Sequence, residues 1–555
     1  MINENGKIKS PYDVTVFIIA SIIAVYLSKI LFYINCWPTD SCSLYIPAAR
    51  RLFEPPIYLS QLHNLFETDL TALAMFGKEV LILGTAGFQY ILGDWLSLYP
   101  NILFLIIVNF IASLMIYYVI KNFFDKHIGF LGFILYATTF WPYQYVLQGA
   151  HQPLVFMNFL LAVYFIQTSD RRYFRCFISG LFLGLMYFSS PTATVYMPYY
   201  LGIICYYFTF KLPEIDGRKN LFCALSALAG LLLVYIVFTY PYPVLTMEYF
   251  LKVVSFSKLK NNFTVFRQAN AKHFYAPQMF RGGGIRWIAK YFYLTMPTLF
   301  FGYVASLLFL VKQTKHQTKI WIILFFNFCA FAVVELSQVA QFGRNYFSYF
   351  FGFIFIICYA CFLFFIRKRE RTRQLAWVRL MVYFLIVHLV VNSWIFFGDV
   401  LPTRLATTKI YNWLIDHDIE QVYVYGDHVY KKNVYDAINN PKQKKKIGFK
   451  VISSISDVKD GYILIPPVTG KSIWSNCISE DYTDDGSFNR IYGSNNWKDA
   501  VVAEFKAMPS SRIWVQEEEI CAYRDLILNQ ISDLDRSKGN VWILDAQKLR
   551  ADTQY

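Results

Sequence analysis

Between residues 14 and 398 the chain alternates long apolar runs with short polar ones. A helix needs roughly 20 mostly apolar residues to cross a bilayer core about 30 Å thick. Eleven runs come close to that length, at approximately 14–34, 98–120, 128–146, 153–168, 174–190, 193–209, 221–240, 291–311, 319–337, 346–366 and 376–398. The pattern predicts a polytopic α-helical membrane protein with about 11 transmembrane helices. Prolines such as Pro191 and Pro297 do not disqualify these runs, because neighbouring helices can satisfy the backbone groups that proline frees. A further apolar run, EVLILGTAGFQYILG at 79–93, is too short to span and reads as a re-entrant or interfacial helix. After Leu401 the pattern changes: TTKIYNWLIDHD is amphipathic, and β-rich runs follow at 421–426, 449–454, 461–467 and 540–546. Strand and helix alternate there as in a small α/β domain. The predicted organisation is a membrane domain over 1–400, with long loops at about 35–97 and 241–290, and a soluble domain over 401–555.

Composition fits this pattern. The chain is 56% hydrophobic and only 16% charged, against roughly 25% charged in an average soluble protein. A single soluble domain, a disordered chain and a collagen-like chain are excluded. The net charge of +15, from 52 basic and 37 acidic residues, would suggest nucleic acid in a soluble protein. Its placement points elsewhere. If the N-terminus is cytoplasmic, alternate loops carry eighteen cations, from Lys7 and Lys9 to the cluster Arg367, Lys368, Arg369, Arg371 and Arg373, against Arg344 alone in the three short loops opposite. That asymmetry is the one the positive-inside rule describes. It predicts a multi-pass protein of the cell (inner or plasma) membrane, with no nucleic-acid partner and with both long loops and the C-terminal domain exoplasmic. Loop 241–290 holds eight further cations that orientation does not require; contact with anionic headgroups and a grip on a phosphate both remain open for them. The first apolar run lacks a small-residue cleavage site and is followed by ten more, so it reads as a retained span rather than a signal peptide.

Under this topology Cys36, Cys42, Cys477 and Cys521 are exoplasmic, and bridges Cys36–Cys42 and Cys477–Cys521 are allowed, although spacing does not fix the connectivity. No metal-ligand spacing occurs among the cysteines. VTGKS at 468–472 ends like a phosphate-binding loop, but Ile465 stands where its first glycine is needed, and nucleotide is lacking outside the cell. DYTDDG at 481–486 begins like a calcium loop, yet its twelfth position is Tyr492 rather than a bidentate Glu. It reads as a solvated turn.

The first outer loop carries more chemistry. Directly beyond the first span the chain reads WPTDSCSLYIPAARRLFEPP, which places Asp40 within a few residues of the membrane surface, ahead of a helix bearing Tyr45, Ala48, Ala49 and Leu52. On its own, Asp40 reads equally as a loop residue or as a helix cap. An acidic residue after the first span, then a Tyr and an A-x-x-L helix, an apolar helix ending FQYILGDW, and a span with a short basic loop (IYYVIKNFFDKHIGFLGFIL) together resemble the GT-C superfamily of lipid-dependent, multi-span glycosyltransferases. The similarity is to the branch of protein O-mannosyltransferases, aminoarabinose transferases of lipid A and rhizobial lipopolysaccharide glycosyltransferases. Motifs carry it over about residues 14–210, and architecture alone carries it beyond. FGRNYFSYFFGFIFI at 342–356 is similar to a family stretch that opens a late span, although Asn345 separates Arg344 from Tyr346 and the family's proline is missing. Where many members have an acid at the start of the fourth span, this chain reads GAHQPLVFMNFLL, with His151 and Gln152, which argues against a two-carboxylate or metal-assisted mechanism.

The resemblance implies transfer of a sugar from a polyprenyl-phosphate donor to a lipid, glycan or protein acceptor of the cell envelope, at the outer membrane face among the membrane lipids. It implies Asp40 as the base and Lys78, Arg344 and Tyr346 as contacts of the donor phosphate; His151 is a second catalytic candidate that reads equally as a structural histidine at the membrane edge, and no metal and no cofactor is expected. Arg50 and Arg51 read better as headgroup-facing charges. A polytopic transporter or flippase for a lipid-linked glycan would also use about eleven spans, but transport usually places charges within the spans, whose centres here are nearly free of acids. An inactive GT-C-like scaffold is the third reading. The W-W-D signature of oligosaccharyltransferases is absent.

Overall fold

The computed structural model describes residues 10–31, 45–52, 78–92, 100–168, 173–210, 217–239, 296–313, 318–336, 349–366, 371–425, 445–452, 458–465, 497–506 and 540–551. Most of them are helical. In chain order the helices are α1 (Pro11–Leu31), α2 (Ile46–Arg51), α3 (Glu79–Leu92), α4 (Pro100–Phe123), α5 (Lys126–Ala137), α6 (Phe140–Gln148), α7 (Gln152–Gln167), α8 (Tyr173–Tyr187), α9 (Tyr196–Phe210), α10 (Gly217–Thr239), α11 (Pro297–Gln313), α12 (Thr318–Leu336), α13 (Phe350–Ile366), α14 (Arg371–Ile395) and α15 (Ala406–Asp416). Within the described residues, the eleven apolar runs are largely helical. Four segments are long and apolar enough to cross a membrane, Pro11–Leu31, Pro100–Phe123, Arg218–Thr239 and Val378–Gly398, and shorter apolar helices such as Gln152–Gln167 lie between them.

One run differs from its prediction. The stretch 128–146 is not one helix but two, α5 and α6, broken at Thr138 and Thr139. Pro142 is the reason: it has no N–H to give, and its ring would collide with the carbonyl four residues back, at Thr138. Thr139 is extended (φ −83°, ψ 132°), and α14 covers the break. Asn392 Oδ1 accepts from the Phe140 amide at 3.2 Å, one of the donors that the start of α6 leaves unmet. The buried His388 ring lies 3.2 Å from Thr139 Oγ1 and 2.6 Å from Thr298 Oγ1. Its Nδ1 lies 3.1 Å from Asn392 Nδ2, and its Nε2 faces the Leu135 carbonyl at 3.4 Å.

Small residues set the closest helix approach. A Cβ on Gly180 of α8 would stand 1.8 Å from the Ala227 carbonyl oxygen of α10, and one on Gly230 of α10 would stand 2.1 Å from the Phe177 carbonyl oxygen. The two backbones touch, as small residues allow between apolar helices. At the far end of α4, Lys121 pairs with Asp13 of α1 at 2.8 Å and Tyr12 meets His127 at 2.9 Å, so α1 and α4 run as an antiparallel pair.

Beyond α14 the described residues form a five-stranded mixed sheet in the order β2-β1-β3-β5-β4, from β1 (Gln421–Tyr425), β2 (Gly448–Ile452), β3 (Tyr462–Ile465), β4 (Val501–Lys506) and β5 (Asn540–Asp545). β1 is parallel to β2 and β3, and β5 is antiparallel to β3 and β4. Ile410 and Leu414, one turn apart on α15, pack on Val422 and Val424 of β1. Asp418 (φ 53°) ends α15 in a left-handed turn, with Ile419 N bonded to Leu414 O, and this turn delivers the chain into β1.

Candidate functional site

Lys78 is the first of the expected site residues to find a place. It precedes α3, is 8% exposed, and its Nζ lies 5.4 Å from the centroid of the ring of Tyr45, the residue before α2, a cation–π contact. At the head of a helix the dipole opposes an ammonium while favouring the adjoining Glu79. An anion brought to this point would gain from both Lys78 and the helix. The segment is tied down: the Val80 amide donates to Phe188 O at 3.0 Å, at the end of α8. The next residue, Ser189, accepts a bond from Asn158 Nδ2 of α7 at 3.1 Å.

The same α7 carries His151 at its N-cap. α6 ends in a left-handed Gly149 (φ 74°), with the Ala150 amide bonded to Tyr145 O and the Gly149 amide to Val146 O. This closing pattern needs a residue without a Cβ penalty. The chain turns sharply, and the His151 carbonyl then accepts the Leu154 and Val155 amides to open α7. Asn101, at the start of α4, donates to Gly149 O at 3.5 Å. His151 is thus buried at a junction of α4, α6 and α7, and the Asn158–Ser189 bond connects α7 with the end of α8 that holds the Lys78 segment. Asp40, Arg344 and Tyr346 lie outside the described residues, as do Cys36, Cys42, Cys477 and Cys521. Among the described residues no group of His, Cys, Asp and Glu has the make-up of a metal site.

Two features were not anticipated from sequence. Near His151 in the chain are Gln144, Gln148 and Gln152, each at least nine-tenths buried. Their burial had no signal in a polar residue type placed beside an apolar run. The second is the His388, Asn392, Thr139 and Thr298 cluster. Its only sequence cue was a His and an Asn four apart within an apolar run, together with Pro142.

No family model and no curated protein matches the sequence. Among solved structures, the chain is similar to the oligosaccharyltransferase of Archaeoglobus fulgidus in complex with zinc and sulfate, at 14% identity and a TM-score of 0.47, over 84% of this chain and 70% of that one. The apo form of the same enzyme gives 12% identity and a TM-score of 0.44, over 78% and 64%. The archaeal oligosaccharyltransferase AglB of A. fulgidus, with an inhibitory peptide and a dolichol-phosphate, gives 12% identity and a TM-score of 0.41, over 82% and 69%. At this level of likeness the activity has to come from the chain's own residues.

Proposed function

We propose that this chain is a GT-C-type membrane glycosyltransferase that moves a sugar from a polyprenyl-phosphate carrier to an acceptor at the outer face of the membrane. The observation that carries the reading is Lys78: a cation buried at a helix head, against an aromatic ring, in the loop that also supplies Asp40. The reaction is displacement at the anomeric carbon. The acceptor hydroxyl or amine loses its proton to the Asp40 carboxylate and bonds to that carbon while the carrier phosphate departs with the electron pair of the broken C–O bond. Lys78, Arg344 and Tyr346 receive the phosphate, and His151 is the second candidate for a catalytic role. A positioned base contributes about 10²- to 10⁴-fold, and fixed cations stabilise the charge that develops on the leaving phosphate. In this reading residues 1–400 form the multi-pass catalytic domain, with the N-terminus cytoplasmic, and residues 401–555 form an exoplasmic α/β domain.

The transporter reading is weaker on one particular. His388, a buried ionisable side chain within an apolar helix, is taken up by Thr139, Thr298 and Asn392 at a helix break rather than lining a relay. Asp40→Asn tests the proposal with purified protein in vesicles and a polyprenyl-phosphate sugar. Transfer should fall by about two orders of magnitude while expression and melting stay unchanged. Transfer at the parent rate removes Asp40 as the base, and movement of the lipid-linked sugar across the vesicle without transfer overturns the enzyme reading.

A further inference from the structure

The helix junction that presents His151 carries an excess of unmet hydrogen-bonding capacity. Gln144 and Gln148 are four residues apart, hence on one face of α6, and Gln152 opens α7 just past the Gly149 turn. Gln144 is 3% exposed, Gln148 9% and Gln152 3%. The side-chain oxygens of all three have no hydrogen-bond partner, and neither does the amide nitrogen of Gln152. Leaving one buried polar group unmatched is costly, and native proteins tolerate few such groups. Three buried carboxamides with unmatched atoms lie within nine residues, on either side of the Gly149 turn. Chemically they form an uncharged set with three acceptors and at least one donor. That set suits a polyhydroxylated ligand: hydroxyl groups give and receive hydrogen bonds at once, and a neutral amide holds them without adding charge beside a departing phosphate.

We propose that Gln144, Gln148 and Gln152 form the subsite that receives the hydroxyl groups of the donor's sugar ring, while Lys78 serves its phosphate. The assignment rests on the glycosyltransferase reading above. It also makes a thermodynamic statement that a structural role would not. Without the sugar these amides destabilise the fold, so replacing one by the similarly sized, apolar methionine relieves the resting protein while damaging recognition.

The experiment uses the full-length protein in lipid nanodiscs, with Gln144→Met, Gln148→Met and Gln152→Met as variants. Binding is measured for bare undecaprenyl phosphate and for the same carrier bearing glucose, mannose, galactose or arabinose, and Tm is measured without ligand. The parent should prefer at least one sugar-bearing carrier over the bare one. Each variant should lose about tenfold of that preference, equivalent to one hydrogen bond of about 1.4 kcal/mol, keep its affinity for the bare carrier, and melt at or above the parent Tm. Variants that keep the full preference, or that melt several degrees lower, overturn the subsite and leave the carrier reading standing. A parent that binds the bare carrier but favours no sugar also overturns the subsite. A parent that binds neither form overturns the glycosyltransferase reading itself.

Discussion

Replacing Gly180 with alanine tests the helix packing on which the Lys78 region depends. The added methyl would stand 1.8 Å from the Ala227 carbonyl oxygen, 2.6 Å from its carbonyl carbon and 2.9 Å from its Cα. All three obstacles are backbone, so no rotamer change makes room. Ordinary carbon–oxygen contacts lie at about 3.3 Å or beyond, and α8 and α10 must therefore separate by about 1.5 Å at this point. Gly230, whose Cβ position is 2.1 Å from the Phe177 carbonyl oxygen, sits in the same contact and would lose its packing as the helices part. One extra methyl in a close-packed interior costs about 1–3 kcal/mol where side chains can give way; with backbone on both sides we expect about 3 kcal/mol. The assay is thermal unfolding of the purified protein in one detergent, with Gly87→Ala as control. A Cβ on Gly87 in α3 meets nothing within 4 Å, so only helix propensity changes there, in alanine's favour by about 1 kcal/mol. Because the end of α8 holds Val80 through Phe188 O, Gly180→Ala should also weaken donor use. A Gly180→Ala protein that melts within about 0.5 kcal/mol of the parent would mean that α8 and α10 are not in backbone contact, and the derivation would fail.

Lys78→Met should weaken use of a polyprenyl-phosphate donor by about 10- to 100-fold, the worth of one hydrogen bond to a charged group, mainly in KM; an unchanged KM would remove Lys78 from the donor site. Asn392→Leu should cost about 1–3 kcal/mol, because it leaves the Phe140 amide buried without its acceptor, and a parent-like melting curve would show that the α5–α6 break does not depend on α14. A reporter that matures only in an oxidising compartment should be active when fused after Tyr555; activity only in a cytoplasmic reporter would reverse the orientation read from the loop charges.

The sequence by itself showed a mostly helical chain with membrane-length segments, because a bilayer-length apolar run satisfies its backbone in only one way and needs no partner to do so. It also located four of the five strands from short apolar runs. β4 was missed: VVAEFK places an exposed Glu504 among half-buried residues, so it lacks the apolar signal of a central strand, and its place at the sheet edge is set by pairing with β5. The break at Thr138 was legible in Pro142, although the apolar run around it read as continuous. What could not be read was every feature made by residues distant in the chain. Thr139 and His388 are 249 positions apart, and no periodicity links them. The clearance at Gly180 belongs to the Ala227 backbone, and the reversed direction of β5 in the sheet belongs to its neighbours β3 and β4. The candidate site divides along the same line. The family resemblance nominated Lys78 and His151, whereas the burial of Lys78 against Tyr45, the Asn158–Ser189 link and the burial of three glutamines on either side of the Gly149 turn exist only once the helices are packed together. Periodicity is local and is written along the chain; desolvation is collective, and only the packed bundle determines which polar groups lose their water.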